Sequence, residues 1–118
     1  MARVMFVDDR LNEVIRLWER SGCESNHKLL PLEPFDSLER TCQLAKDLQP
    51  GFIFIGYGLS KSNVTGADVI RALRNQGYAG CVVANSGGGA EQFVQAGVEV
   101  NATTDRRPEK LAEILRQN

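Results

Sequence analysis

The chain has 118 residues, about the length of one domain, and is 42% hydrophobic and 25% charged. This is the composition of a globular protein, and it excludes a disordered chain. The 14 Lys and Arg residues nearly balance the 15 Asp and Glu residues, which gives a net charge of -1. Because the chain as a whole carries no basic field to hold phosphate groups, we expect neither nucleic acid nor a membrane surface among its partners.

The N-terminus and the cysteines indicate the cellular compartment. The sequence enters an apolar run at Val4 without the pattern of a signal peptide, and no apolar stretch approaches the length that spans a bilayer. Cys23, Cys42 and Cys81 lack metal-ligand spacing, so we expect reduced thiols. The sequence therefore predicts a cytoplasmic protein.

Uninterrupted apolar runs predict five buried strands. Runs without polar alternation are typical of strands that are covered on both faces, as in parallel sheets. The predicted strands cover residues 4–7, 29–32, 52–55, 81–84 and, more weakly, 98–102.

Helical periodicity fills the gap after the first predicted strand. Leu11, Val14, Ile15 and Trp18 have the i, i+3, i+4, i+7 spacing of a buried stripe, which predicts a helix over residues 11–20. This helix would cover one face of the sheet.

The second gap contains another helical pattern. Asp36 with Glu39 three residues later has the spacing of a capping box, which predicts that the helix begins after Asp36. Its apolar stripe consists of Leu38, Cys42, Ala45 and Leu48.

Three further helices are predicted in the second half of the chain. Thr65 and Asp68 form a capping-box pattern, and Gly77 is placed to end that helix in the left-handed conformation. A short helix covers 90–96, and the last helix begins near Pro108. The stripe of the last helix consists of Leu111, Ile114 and Leu115.

The alternation of strand and helix, repeated five times, predicts the fold. Parallel strands need crossover connections, and these are right-handed. We therefore predict one domain over residues 1–118, a flavodoxin-like doubly wound (βα)5 three-layer sandwich with strand order 2-1-3-4-5. In such sheets, ligands bind beyond the carboxyl ends of the strands.

Polar residues and glycines follow the predicted strands at that edge. Asp8 and Asp9 are adjacent carboxylates, whose repulsion is tolerable if a hard cation or a basic side chain lies between them. The other strand ends carry Gly56 and Gly58, Ser86 before a run of three glycines, and Thr104 with Asp105.

The motifs at these strand ends resemble the receiver domain of two-component response regulators, the CheY-like family of bacterial phosphorelay proteins. The resemblance rests on Val7-Asp8-Asp9, the Gly-Leu-Ser after the third strand, Ser86 and the stretch 97–111, and it extends over the whole chain. It implies that Asp8 and Asp9 match the acidic pair that helps bind magnesium. It also implies that Ser86 matches the hydroxyl residue that contacts the phosphoryl group.

The sequence departs from that family at the residues of the phosphorylation switch. Gly56 stands where the family has the phosphoacceptor aspartate, Thr104 replaces the lysine, and Asp105 replaces the following proline. Asn101 stands where the family has an aromatic switch residue. A glycine cannot accept a phosphoryl group, so the resemblance is to a degenerate pseudo-receiver.

The remnant pocket and the glycine loop each allow more than one interpretation. Asp8 and Asp9, with the carbonyl of Gly58, are either a weak magnesium site or a solvated carboxylate pair. The run Gly87-Gly88-Gly89 is either a flexible or partner-shaped loop or an anion site before a helix.

These observations favour a signalling module that is not an enzyme. The resemblance implies a partner-binding face formed by Asn101, Asp105, Arg106 and Arg107, and this face is also compatible with a homodimer. Two alternatives stay open. One is a receiver with a displaced acceptor or a weak magnesium site at Asp8, Asp9 or Ser86. The other is a sensor of a small ligand or anion, using the space at Gly56 and the loop 87–89.

Overall fold

The computed structural model describes residues 1–59, 63–87 and 90–117, whose strands form one sheet. All neighbouring strands are parallel and their order is 2-1-3-4-5, which confirms the predicted flavodoxin-like topology. The strands are β1 (Arg3–Val7), β2 (Lys28–Leu29), β3 (Phe52–Ile55), β4 (Cys81–Asn85) and β5 (Ala102–Thr104).

Helices cover both faces of this sheet. They are α1 (Leu11–Ser21), α2 (Leu38–Leu48), α3 (Gly66–Asn75), α4 (Glu91–Gln95) and α5 (Pro108–Gln117), and a 3-10 turn lies at Cys23–Ser25. Helices α1 and α5 pack on one face, and α2, α3 and α4 pack on the other, so the predicted three-layer sandwich is confirmed. Within the described ranges, no helix has the length and apolar character needed to cross a bilayer.

The strand residues divide between two cores, because successive side chains of a strand point to opposite faces. Phe6 and Phe54 lie in the core beneath α1 and α5, and their rings stack with centroids 5.0 Å apart. Val7 and Ile55 lie in the core beneath α2, α3 and α4. Burial on both faces explains the uninterrupted apolar runs. The same alternation fixes the face to which residues just beyond each strand project.

Helix α1 buries a stripe one position away from the predicted one. Val14, Leu17 and Trp18 are buried, whereas Ile15 is 41% exposed, so the prediction for Ile15 is wrong. The apolar positions of this helix allow two adjoining stripes, and packing against the sheet and α5 selects the stripe that contains Leu17.

Helix α2 begins one residue later than the capping-box pattern predicted. Ser37 retains an extended backbone at φ -153° and ψ 162°, and its hydroxyl accepts a hydrogen bond from the Arg40 backbone N–H at 3.1 Å. The predicted cap at Asp36 is therefore wrong, because the cap is the last residue that keeps the extended conformation before the first turn.

Helix α3 begins and ends as predicted. The Thr65 hydroxyl accepts a hydrogen bond from the Asp68 N–H at 3.4 Å, and the Thr65 N–H donates to the Asp68 carboxylate at 2.9 Å. Gly77 follows the helix with φ +87°, the left-handed conformation that glycine adopts at low cost. The two signals enclose a helix whose start lies beside β3.

Strand β5 is shorter than predicted and begins later along the chain. Residues 98–101 precede it as an irregular segment, and Val98 and Val100 are half-buried against the core. Asn101 carries the pairing here: its N–H donates to the Val82 carbonyl, and its side-chain oxygen accepts from the Val82 N–H, both at 2.8 Å. Because a side chain replaces a backbone acceptor at this point, the regular ladder begins only at Ala102.

Candidate functional site

Residues at the carboxyl ends of four adjacent strands form one row. The parallel register aligns the ends of β1, β3 and β4, so Asp8, Gly56 and Asn85 lie side by side, and Thr104 pairs directly with Asn85. Each of these residues follows a member of the α1/α5 core by two positions, which directs all of them to that face. The sheet therefore assembles a polar row at the edge where ligands bind in doubly wound folds.

Asp8 is the buried acid of this row, and only 1% of its surface is exposed. One carboxylate oxygen accepts the Arg10 backbone N–H at 2.9 Å, and the other accepts the Arg106 guanidinium at 3.0 Å. Burial raises the pKa of Asp8, and the Arg10 hydrogen bond and the Arg106 charge lower it less than burial raises it. Half-buried Asp9 also raises the pKa of Asp8.

Arg106 reaches this acid from the loop after β5. Its Nη2 lies 3.0 Å from Asp8 Oδ2, and its Nη1 lies 3.0 Å from Glu13 Oε2 in the first turn of α1. The backbone of Arg106 has φ +71°, a left-handed conformation that costs a non-glycine residue on the order of 1 kcal/mol. A basic side chain therefore lies beside Asp8. This is one of the two arrangements, a hard cation or a basic side chain, that make adjacent carboxylates tolerable.

Gly56 leaves the room that this ion pair occupies. A Cβ atom at Gly56 would lie 3.0 Å from Asp8 Oδ2 and 3.4 Å from Arg106 Nη2. The Gly56 backbone is itself covered, because a Cβ at Gly66, the first residue of α3, would lie 2.2 Å from the Gly56 carbonyl oxygen. The space expected for a small ligand at Gly56 is therefore occupied by the side chains of Asp8 and Arg106.

The β4 and β5 members of the row carry polar atoms without partners. Asn85 and Thr104 are 1% and 3% exposed, and within the described residues Asn85 Oδ1 and Thr104 Oγ1 have no hydrogen-bond partner. Ser86 is also buried, and its N–H donates to the Thr104 carbonyl at 3.2 Å. Unpartnered buried polar atoms are rare in folded proteins, so these two atoms are candidates for contact with a water molecule or a small polar ligand.

Comparison with known proteins connects this site to one fold. No protein family matches the sequence, and no curated protein sequence is significantly similar to it. Solved structures do match. A LuxR-family DNA-binding response regulator from Staphylococcus aureus has a TM-score of 0.76 at 14% identity, over 99% of this chain and 98% of that one. The chain has the fold of response-regulator receiver domains.

Two further receiver structures support the same fold. The receiver domain of the Francisella response regulator 1452 has a TM-score of 0.73 at 15% identity, over 99% of this chain and 95% of that one. The response regulator TrrA from Thermotoga maritima, in complex with Mg2+ and BeF, has a TM-score of 0.72 at 13% identity, over 99% of this chain and 98% of that one. Identities this low establish the receiver fold alone.

The residues in this pocket do not fit the magnesium ion that the receiver fold implies. Both Asp8 oxygens already accept hydrogen bonds, and the charged Arg106 guanidinium lies 3.0 Å from one of them. A divalent cation there would be repelled by the guanidinium and would lack the carboxylate that Gly56 cannot supply. Among the described residues, no group of three His, Cys, Asp or Glu side chains is placed to hold a metal. The hypothesis of a weak magnesium site at Asp8 and Asp9 is therefore not supported.

Two other predicted elements of the pocket lie farther from its centre. Gly58 is exposed and forms an antiparallel bridge with Thr65, which leads the chain into α3. Of the predicted glycine loop, Gly87 is exposed, and Gly88 and Gly89 lie outside the described residues.

The four residues of the predicted partner face do not form one surface. Arg106 points into the pocket and is only 22% exposed, so its assignment to an outward face is wrong. Asn101 lies at the opposite end of β5, and its side chain accepts from the Val82 N–H and from Arg74, both at 2.8 Å. Asp105 and Arg107 remain exposed and pair at 2.8 Å. The Arg107 hydrogen bond lowers the pKa of Asp105.

Three residues of the site were not predicted from the sequence. Glu13 belongs to α1 and gave no signal apart from its position in the first turn. Asn85 was predicted only as the end of a strand, although a polar residue closing an apolar run marks a strand end at this edge. Gly66 follows the capping threonine, and a glycine at the start of a helix indicates close backbone approach.

Proposed function

We propose that this chain is a receiver-like signalling module that acts by binding a protein partner and is not switched by phosphorylation of the usual acceptor. It would act without enzymatic activity. The observation that carries this proposal is the Arg106 guanidinium, which lies beside Asp8 and Gly56 in the pocket. Gly56 offers no carboxylate to phosphorylate, and a side chain of the protein already supplies the positive charge.

The alternative of a displaced acceptor is less well supported. Asp8 would have to release the Arg106 hydrogen bond before its carboxylate could attack a phosphoryl donor. Ser86 is buried, which limits the access of a phosphoryl donor to its hydroxyl. The unpartnered atoms of Asn85 and Thr104 give more support to a small polar ligand at the β4 and β5 ends.

The first test is exposure to a phosphoryl analogue. We expect the amide NMR spectrum to stay unchanged when beryllofluoride and Mg2+ are added, since no acceptor carboxylate is present at Gly56. TrrA, whose structure contains Mg2+ and BeF, is the positive control. Saturable shifts centred on Asp8 or Ser86 would support the displaced acceptor instead, and shifts confined to Asn85 and Thr104 would support a ligand site there.

The second test is partner capture through the exposed pair Asp105 and Arg107. Replacing both with alanine should weaken capture of a specific protein from the native extract by about tenfold, since charged pairs at an interface rim set specificity. Arg16→Ala with Glu19→Ala on α1 is the matched control, because it also removes one exposed acid and one exposed base. Equal capture by both double variants would contradict this face assignment.

A further inference from the structure

Arg106 connects three separate parts of the fold. Its guanidinium bridges Asp8 at the end of β1 and Glu13 in α1, each at 3.0 Å. Its backbone lies between Asp105 and Arg107, the exposed pair of the proposed partner face. Arg106 thus places its side chain in the pocket and its backbone between the two residues of the exposed pair.

The bridge is maintained although it is locally unfavourable. Arg106 has a left-handed backbone, which disfavours a side chain that is not glycine. Asp8 is 1% exposed, so the pair also bears the cost of removing charge from water. The geometry of the bridge is specific, because two different nitrogens of the Arg106 guanidinium each bond a different carboxylate. Costs of this kind point to a role in positioning rather than in stability.

The position of the guanidinium corresponds to that of a cation shared by carboxylates. A divalent ion would neutralise Asp8 and hold neighbouring acids together, but it would dissociate when its concentration fell. A guanidinium stays charged at any physiological pH and is covalently attached to the chain. The pocket therefore contains a cation that cannot dissociate from the protein.

We propose that Arg106 is a tethered cation that takes the place of a dissociable metal ion and fastens the segment carrying Asp105 and Arg107 to β1 and α1. The inference rests on the proposed function, since it explains how a receiver-like fold holds its partner surface in one conformation without a phosphorylation signal. It assigns Arg106 as a positioning residue for that surface.

Amide hydrogen exchange in the full chain tests the tether. In Arg106→Gln, we expect exchange of the amides in 8–14 and 104–111 to accelerate by about tenfold, because both ends of the bridge are released. Arg107→Gln is the matched control, since it removes the adjacent exposed arginine and leaves the bridge intact. It should leave those amides unchanged.

Two further variants keep the test decisive if Arg106→Gln fails to fold. Arg106→Lys keeps the charge but cannot bond Asp8 and Glu13 with a planar fork, so it should fold and still show faster exchange in 104–111. Asp8→Asn with Arg106→Gln removes the lone buried charge and should melt at a higher temperature than Arg106→Gln alone.

Millimolar Mn2+ tests whether the guanidinium stands in the place of a metal. We expect paramagnetic broadening of the amides around Asp8 in Arg106→Gln and none in the wild type, because removal of the resident cation leaves the carboxylates free to bind another. Equal broadening in both proteins, or broadening in neither, would overturn this part of the inference.

Exchange rates that are the same in Arg106→Gln and Arg107→Gln would overturn the tether. The partner-capture assay then separates the two proposals. If exchange accelerates in Arg106→Gln and the double variant of Asp105 and Arg107 still captures the partner, the tether stands and the partner face is misassigned. If exchange is unchanged and capture still depends on Asp105 and Arg107, the proposed function stands without the tether.

Discussion

At the scale of single residues, two glycines determine which groups can approach one another in the site. Gly56 admits the Asp8 and Arg106 pair, and Gly66 admits the Gly56 carbonyl. A Cβ at Gly56 would meet the ends of side chains, which can move. A Cβ at Gly66 would meet backbone, which cannot move without shifting β3. The two glycines therefore differ in how strictly the fold requires them.

We predict that Gly66→Ala destabilises the protein by about 1–3 kcal/mol, because its Cβ would lie 2.2 Å from the Gly56 carbonyl oxygen. This is the net loss, after the gain that alanine brings over glycine, which is at most about 1 kcal/mol in a helix interior. Gly58→Ala is the control. No described atom lies within 4 Å of a Cβ built at Gly58, and its φ is not left-handed, so this variant should be neutral or slightly stabilising. Urea denaturation midpoints measure both, and equal midpoints would contradict the close approach of α3 to β3.

At the scale of elements, helix caps and the β5 segment decide where the site residues lie. Helix α3 begins immediately after the Gly58 and Thr65 bridge, so its cap sets how the chain leaves β3. The loop after β5 is short, and this brings Arg106 within reach of β1. The α3 cap follows from hydrogen bonds between residues three apart, whereas β5 is placed by hydrogen bonds to β4, which is distant in sequence.

The capping box of α3 gives an element-scale prediction. Thr65→Ala should cost about 1 kcal/mol of unfolding free energy, because the Asp68 N–H loses its acceptor. Thr65→Ser keeps a hydroxyl and should lose only a fraction of that amount. Thermal melts of the two variants, compared with the wild type, check the order. An alanine variant as stable as the serine variant would show that this cap contributes nothing.

At the scale of the whole molecule, stability depends on pH through the buried acid. Burial raises the pKa of Asp8 above its unfolded value of about 4, so the folded state binds this proton more tightly than the unfolded state does. The contribution of Asp8 is therefore fully present below that value and is lost as pH rises through the folded pKa. Arg106, Glu13 and Asp9 are the charged groups around it.

We predict that Asp8→Asn gains stability relative to the wild type as pH rises from about 3 to 7, because asparagine cannot ionise. Exposed Asp105 and half-buried Glu33 have lowered pKa values, so their contributions to stability depend on pH in the opposite direction. Both residues are common to the two proteins, and their contributions cancel in the difference. Urea titrations at several pH values give the difference directly. A difference that stays constant or shrinks with rising pH would show that the pKa of Asp8 is not raised.

The order of elements and the parallel sheet could be predicted from the sequence alone, which also shows a residue without a side chain, Gly56, after the third strand. Buried strands read as apolar runs, capping signals such as Thr65 and Asp68 act over three residues, and Gly56 excludes a carboxylate whatever surrounds it. These features depend on local chemistry or on periodicity, both of which a sequence records. Where two local signals adjoined, as at Asp36 and Ser37, the prediction missed by one residue.

The direction of the Arg106 side chain depends on tertiary contacts. In the sequence, Arg106 and Arg107 are equivalent neighbours at the start of a helix, and both were predicted to face a partner. In the fold, Arg106 bonds Asp8, which lies 98 residues earlier in the chain, whereas Arg107 bonds Asp105, which lies two residues before it. The left-handed backbone at Arg106 and the parallel pairing of β1, β3, β4 and β5 bring that distant acid within reach. No local pattern encodes a contact that exists only after the sheet has formed.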